Sequence, residues 1–151
     1  MPTPTPELFT LLAAEAEKTV HALNVSCVAV SVWERELGRM RTLLNVGALS
    51  GVEESFPTGE SYPLDTFPST DALLRFGRPY LDPRDVASLA VMAQMGYASQ
   101  AAVPIVAEGR VWGELWAGTQ AGGRRLTPDD LAVLTRGAEA IGRLLSQRGD
   151  A

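Results

Sequence analysis

The chain has 151 residues, 46% of them hydrophobic and 21% charged, with a net charge of −5 at pH 7; these are globular values for one domain and favour neither a disordered nor a fibrous class. Its 13 positive charges, nearly all arginine, are scattered rather than gathered into the basic stripe a nucleic-acid groove needs, and its single cysteine, Cys27, excludes an internal disulfide and a multi-thiolate zinc cage. The apolar runs are too short to span a bilayer and no signal-peptide pattern follows Met1, so the chain is expected to be a soluble, cytoplasmic domain over 1–151 with neither nucleic acid nor membrane as a partner.

Residues 1–4 form a loose proline-threonine leader, expected to be disordered. Thr5-Pro6-Glu7 then supplies an N-cap, a first-turn proline and an acid at the positive helix end, predicting a helix that Asn24 closes. Leu8, Leu12, Ala16, Val20 and Leu23 give it one apolar face. Ser26 to Glu34 alternates Val28, Val30 and Val32 against Cys27, Ala29, Ser31 and Trp33, and the turn 35–38 leads to a second strand over 39–46. From Gly47 to Thr66, glycines and prolines interrupt every apolar run. This predicts a long functional loop, with 61–64 as a short edge strand.

Ser69 to Phe76 is predicted helical, capped by Ser69 or Thr70 and stopped by Gly77. An extended piece, 78–81, precedes Asp82-Pro83-Arg84-Asp85, where Asp82 is expected to cap a helix running to Met95. On that helix Val86, Leu89, Ala90 and Ala93 share a face, with Met92 and Met95 nearby. The strongest strand signal is Ser99 to Thr119, a hairpin turning at Ala107-Glu108-Gly109. Period-two alternation puts Val111, Gly113, Leu115 and Ala117 on one face of its second strand, and Trp112, Glu114, Trp116 and Gly118 on the other. Gln120 to Arg125 is a glycine-rich turn; Gly122-Gly123 lacks the flanking elements and lysine of a phosphate loop. Thr127-Pro128-Asp129-Asp130 caps a last helix on which Leu131, Leu134, Ala138, Ile141 and Leu145 step by three and four, a coiled-coil-like seam. Residues 146–151 are expected to fray or to begin a linker to an output domain.

This order resembles a GAF domain over nearly the whole chain. The resemblance rests on Ser99 followed by Val103-Pro104-Ile105, on Gly109, Gly113 and Leu115, on Leu126-Thr127 with Asp130 and Leu131, and on Gly77-Arg78-Pro79 with Asp82. It departs at Trp112, where an aliphatic residue is usual. The resemblance implies an α+β, PAS-related fold: a six-stranded antiparallel sheet, the N- and C-terminal helices packed on one face, and short helices and loops over a small-molecule pocket on the other. It also implies a sensory or regulatory module of the kind found in bacterial two-component signalling, acting as a homodimer through its terminal helices on an attached output domain or partner. Three chemically defined subtypes fit poorly. The cyclic-nucleotide signature cannot be placed, Cys27 sits in the first strand rather than in a bilin-binding segment, and one cysteine is too few for the methionine sulfoxide reductase subtype.

The candidate pocket consists of Cys27, Ser31, Trp33, Phe67, Tyr80, Met92, Met95, Tyr97, Glu114 and Trp116. Glu114 is the most informative, because a mid-strand carboxylate costs several kcal/mol if buried unpaired. It either receives a cationic or hydrogen-bond-donating ligand beside Trp112 or Trp116, or lies on an exposed face or against an arginine such as Arg41 or Arg110. Cys27 reads more simply as a small buried apolar group, and the methionines and aromatics as core. His21 has no companion ligands, so neither a metal nor a cofactor is expected. The candidate dimer interface is Leu8, Leu12, Leu131, Leu134, Ala138, Ile141 and Leu145. The expected function is a non-enzymatic sensor, with a ligand-free dimerisation or protein-interaction platform as the alternative.

Overall fold

The computed structural model of the protein describes residues 4–49 and 53–149. Most of the expected leader, positions 50–52 of the long loop and the last two residues of the tail lie outside the described residues.

Helix α1 (Pro6–Leu23) starts where Thr5 Oγ1 accepts from the Leu8 amide at 3.2 Å and stops at Asn24, which turns left-handed at φ 54°. Strand β1 (Cys27–Glu34), a 3-10 turn over Arg35–Leu37, and β2 (Arg39–Gly47) follow, and the short β3 (Ser61–Pro63) pairs with the outer edge of β2. Helix α2 (Pro68–Phe76), β4 (Tyr80–Leu81) and α3 (Val86–Met95) lead into the long hairpin β5 (Tyr97–Ala107) and β6 (Arg110–Gln120). Its two-residue turn holds Glu108 and Gly109 at φ 54° and 72°, the conformation that matches the twist of the flanking strands. Helix α4 (Pro128–Arg148) opens with Pro128 in its first turn and with the Asp130 carboxylate accepting from the Thr127 amide at 2.7 Å. It runs to Arg148 and ends at Gly149, which turns left-handed at φ 71°.

The strands form one six-stranded antiparallel sheet in the order β3-β2-β1-β6-β5-β4. On one face α1 and α4 bury Leu8, Leu12, Ile141 and Leu145 against Val28, Val30, Val103, Ile105 and Leu115. Each such aliphatic side chain contributes about 1.5–3 kcal/mol. Glycine sets how closely α4 approaches. A Cβ on Gly142 would lie 2.2 Å from the Val106 carbonyl oxygen, and one on Gly137 would lie 2.6 Å from Thr19 Oγ1. The residues expected to meet a second copy are therefore used inside the chain. Leu8, Leu12, Leu134, Ala138, Ile141 and Leu145 are at most 2% exposed, and Leu131 packs partly buried on the same core. This corrects the assignment of that seam to a dimer interface: once the helices fold onto the sheet, none of its buried side chains is available to a partner.

Two caps also differ from expectation. Helix α2 begins one residue earlier, with Phe67 at the cap position and Pro68 in the first turn, while Ser69 Oγ donates to Asp85 Oδ1 at 3.1 Å. Helix α3 is capped by Asp85, not Asp82, because the Asp85 carboxylate accepts the Ser88 amide at 2.9 Å. Asp82 turns the chain at φ 47° and ties three segments together: its carboxylate accepts from Ser99 Oγ at 2.8 Å, the Gln100 amide at 2.8 Å and Arg125 Nη2 at 2.8 Å. Ser99 Oγ in turn accepts the Leu126 amide at 2.9 Å, so two of the residues carrying the family resemblance brace β5 to the entrance of α4.

Candidate functional site

The sheet face away from α1 and α4 is covered by α2, α3 and the loop ahead of β3, leaving a cavity of about 60 Å³. Strands β1, β6 and β5 build its floor from Ser31, Glu114, Trp116 and Gln100. Tyr80 of β4 and Tyr62 of β3 close two sides, and Phe67 and Thr70 at the start of α2 a third. Helix α3 forms the roof with Ser88, Val91, Met92 and Met95. Its Val86, Leu89, Ala90 and Ala93 face outward, Val86 being 84% exposed, so the apolar stripe legible in the sequence is not the side that meets the sheet.

Of the ten candidate pocket residues, Ser31, Phe67, Tyr80, Met92, Met95, Tyr97, Glu114 and Trp116 line this cavity together. Cys27 and Trp33 do not. Cys27 is fully buried near Tyr97, and burial pushes its thiol pKa up to about 12. Trp33 lies with Arg35 and Trp112 along a separate groove, where the Arg35 guanidinium stacks 3.7 Å from the Trp33 ring centre. Trp112 is also absent from the cavity. Ile105 pairs with Gly113 and Val106 with Val111, so Trp112 is the extra residue of a β-bulge. It joins the core under α1 and α4, while Val111 packs with Met40 and Leu73 on the cavity side.

Glu114 is 1% exposed. It is neither on an open face nor paired with arginine, since Arg41 Nε binds Glu34 Oε2 at 3.0 Å and Arg110 lies exposed at the hairpin turn. The Tyr80 hydroxyl hydrogen-bonds its carboxyl group, and Oε1 is buried with no hydrogen-bond partner. Burial raises its pKa to about 8, and the Tyr80 hydrogen bond only partly offsets that rise. Burial thus favours the protonated form of this carboxyl group.

The remaining polar groups are tied to one another. Trp116 Nε1 donates to Gln100 Oε1 at 2.8 Å, and the Trp116 ring stands edge-on to Tyr97 with centroids 5.1 Å apart. That ring lies over Gly118, where a Cβ would come within 2.3 Å of it. Ser31 and Thr42 share a hydroxyl hydrogen bond at 3.1 Å. Tyr62 donates to Glu60 Oε2 at 2.6 Å, Asn45 Nδ2 to Glu60 Oε1 at 3.1 Å, and Tyr97 to Glu53 Oε1 at 2.6 Å. Next to these acids the Tyr62 and Tyr97 hydroxyls are held well above the usual phenol range, mainly by burial. Sequence reasoning passed over Met40, Thr42, Asn45, Glu53, Glu60, Tyr62, Thr70, Ser88, Val91 and Gln100. The alternation of Met40 and Thr42 along β2 was a usable signal, but Glu53 and Glu60 sit in a loop with no periodicity to read. Among the described residues no group of three His, Cys, Asp or Glu side chains could hold a metal ion.

A two-faced antiparallel sheet, helices on one side and a polar-aromatic cavity on the other, defines an α+β domain organised around a pocket. The chain belongs to the GAF domain family, whose model matches residues 7–145. Similar solved structures include a phycocyanobilin-bound GAF domain from a cyanobacterial phytochrome, with 14% identity and a TM-score of 0.76 over 93% of this chain and 85% of that one. The blue-light absorbing form of the Thermosynechococcus elongatus PixJ GAF domain gives 15% identity and 0.76 over 95% and 87%. The photoproduct state of the third GAF domain of Slr1393 from Synechocystis gives 15% and 0.74 over 94% and 95%. At these identities the likeness establishes the fold. Comparison with curated protein sequences gave no match.

Proposed function

We propose that this GAF domain is a non-enzymatic sensory module that takes a small molecule into the cavity between the sheet and α3 and passes its occupancy to an output partner through α1 and α4. The observation that carries this reading is the Glu114 carboxyl group, fully buried on the cavity floor with its Oε1 left without a hydrogen-bond partner. Strand β5 offers a route outward, because it bears Gln100 in the cavity and, at its other end, the Val106 carbonyl against Gly142 of α4. Cys27, whose thiol is buried and held far from its reactive thiolate form, offers no nucleophile to the cavity.

The phycocyanobilin and biliverdin named for similar structures are far larger than a cavity of about 60 Å³, so a compact ligand is proposed here. No helix among the described residues is long and apolar enough to cross a membrane, which is consistent with a cytoplasmic module in a two-component type of pathway. If it dimerises, the contact uses the outward faces of α1 and α4, whose inward faces are already buried. The small cavity also supports a second reading, a ligand-free interaction platform. Native mass spectrometry of protein purified from cells separates the two. A reproducible small-molecule adduct lost in a Trp116→Ala or Glu114→Leu variant supports sensing, whereas the bare mass in every preparation supports the platform.

A further inference from the structure

We infer that the cavity is a receptor for a small organic cation, a primary ammonium whose N–H donates to Glu114 Oε1 while the rings of Tyr80, Tyr97 and Trp116 wall its hydrocarbon portion. The inference rests on the sensory reading and names the ligand class for that same site. Among the described residues three carboxyl groups, those of Glu53, Glu60 and Glu114, line the cavity, and no lysine, arginine or histidine does. Such a lining repels anions. Aromatic faces add to the preference, because their quadrupoles attract a desolvated cation.

The acids differ in what they still need. Glu60 accepts from Tyr62 and Asn45, and Glu53 from Tyr97, whereas Glu114 keeps one oxygen without any donor. An ammonium supplies a donor and a counter-charge together, which a neutral alcohol cannot do. A metal ion is disfavoured, since the acids do not group as ligands among the described residues. Size narrows the class further: a cavity of about 60 Å³ suits a compact molecule rather than a large one.

Binding is coupled to a proton. The groups facing Glu114 are Tyr80 of β4, Tyr62 of β3, Tyr97 of β5, and Glu53 and Glu60 of the preceding loop; α2 and α3 bring no ionisable side chain into the lining. Only Glu114 has a pKa raised to about 8, so an entering ammonium must displace its proton to bulk solvent. Affinity therefore rises from about pH 6 to about pH 8 and levels off above that.

The test is calorimetric titration of the folded chain with n-butylammonium chloride, n-butanol and sodium butyrate at constant ionic strength near pH 8. The expected result is butylammonium binding about tenfold more tightly than butanol, with butyrate silent. In Glu114→Gln, with its fold checked by thermal unfolding, the preference for butylammonium falls to about one while butanol binding persists. A preference for butanol or butyrate, or a cation preference that survives Glu114→Gln, overturns the charge assignment and leaves the cavity as a ligand site of another class. Silence from all three compounds also overturns it, and the sensory reading is then decided by the native mass spectrum alone.

Discussion

Trp112 and Glu114 are two residues apart on β6 yet lie on opposite faces of the sheet: the indole packs in the core beneath α1 and α4, and the carboxyl group points into the cavity. The bulge at Trp112 inverts the alternation there, and Gly113 lets the distorted strand approach β1, since a Cβ on it would lie 2.0 Å from the Ser31 carbonyl oxygen. Trp112→Ala is expected to cost about 3–5 kcal/mol of stability, as a large buried ring is replaced by a void. Urea unfolding measures that loss. Probe binding in the cavity, measured on the fraction that remains folded, should be unchanged, whereas Trp116→Ala should weaken it.

Glu114 makes stability fall as pH rises. Its pKa goes from an ordinary 4.5 to about 8 on folding, so between those values the folded chain holds a proton that the unfolded chain has released. The contribution is complete below about 4.5 and is lost progressively up to about 8. Glu34, where burial is outweighed by hydrogen bonds from Arg39 and Arg41, and Asp130, bound by Arg124, are held below their ordinary values and act in the opposite sense and at lower pH. Over that window the Glu114→Gln variant should gain on the parent by on the order of a few kcal/mol. Chemical denaturation across the range checks this, and parallel curves for the two proteins would contradict it.

Cys27 should be inert in the folded state. It is fully buried and its thiol is pushed up to about 12 by desolvation, so almost no thiolate exists near pH 8. Reaction with a thiol-specific disulfide reagent should be negligible in native buffer and stoichiometric in denaturant. Native-state labelling at the denatured rate would show that β1 opens readily.

Leu134→Glu should unfold the chain instead of splitting an assembly. Leu134 is 1% exposed in the core between α4, α1 and the sheet, where a carboxylate has no partner. A loss of at least about 4 kcal/mol is expected, read as missing helical circular dichroism or a collapsed melting temperature. A folded, monomeric Leu134→Glu protein would instead mean that this face is open in solution.

The order of elements was legible in the sequence because its signals are local. Thr5-Pro6 and Thr127-Pro128 mark helix starts, Asn24, Gly77 and Gly96 mark stops in the left-handed region, and the Glu108-Gly109 turn sets the long hairpin. Glu114 stood out for a similar reason: a carboxylate between apolar strand neighbours is costly if it is buried without a partner. Three things were decided by folding. A single bulge reassigned Trp112 and Val111 between the faces, which strict period-two counting cannot foresee. The seam on α4 could have met a second copy, but the sheet of the same chain is tethered nearby and claimed it. Asp82 was free to cap a helix until Ser99, Gln100 and Arg125 converged on it from distant positions. Local backbone preference is written residue by residue, whereas the partner of a side chain is settled only when segments far apart in the chain compete for the same space.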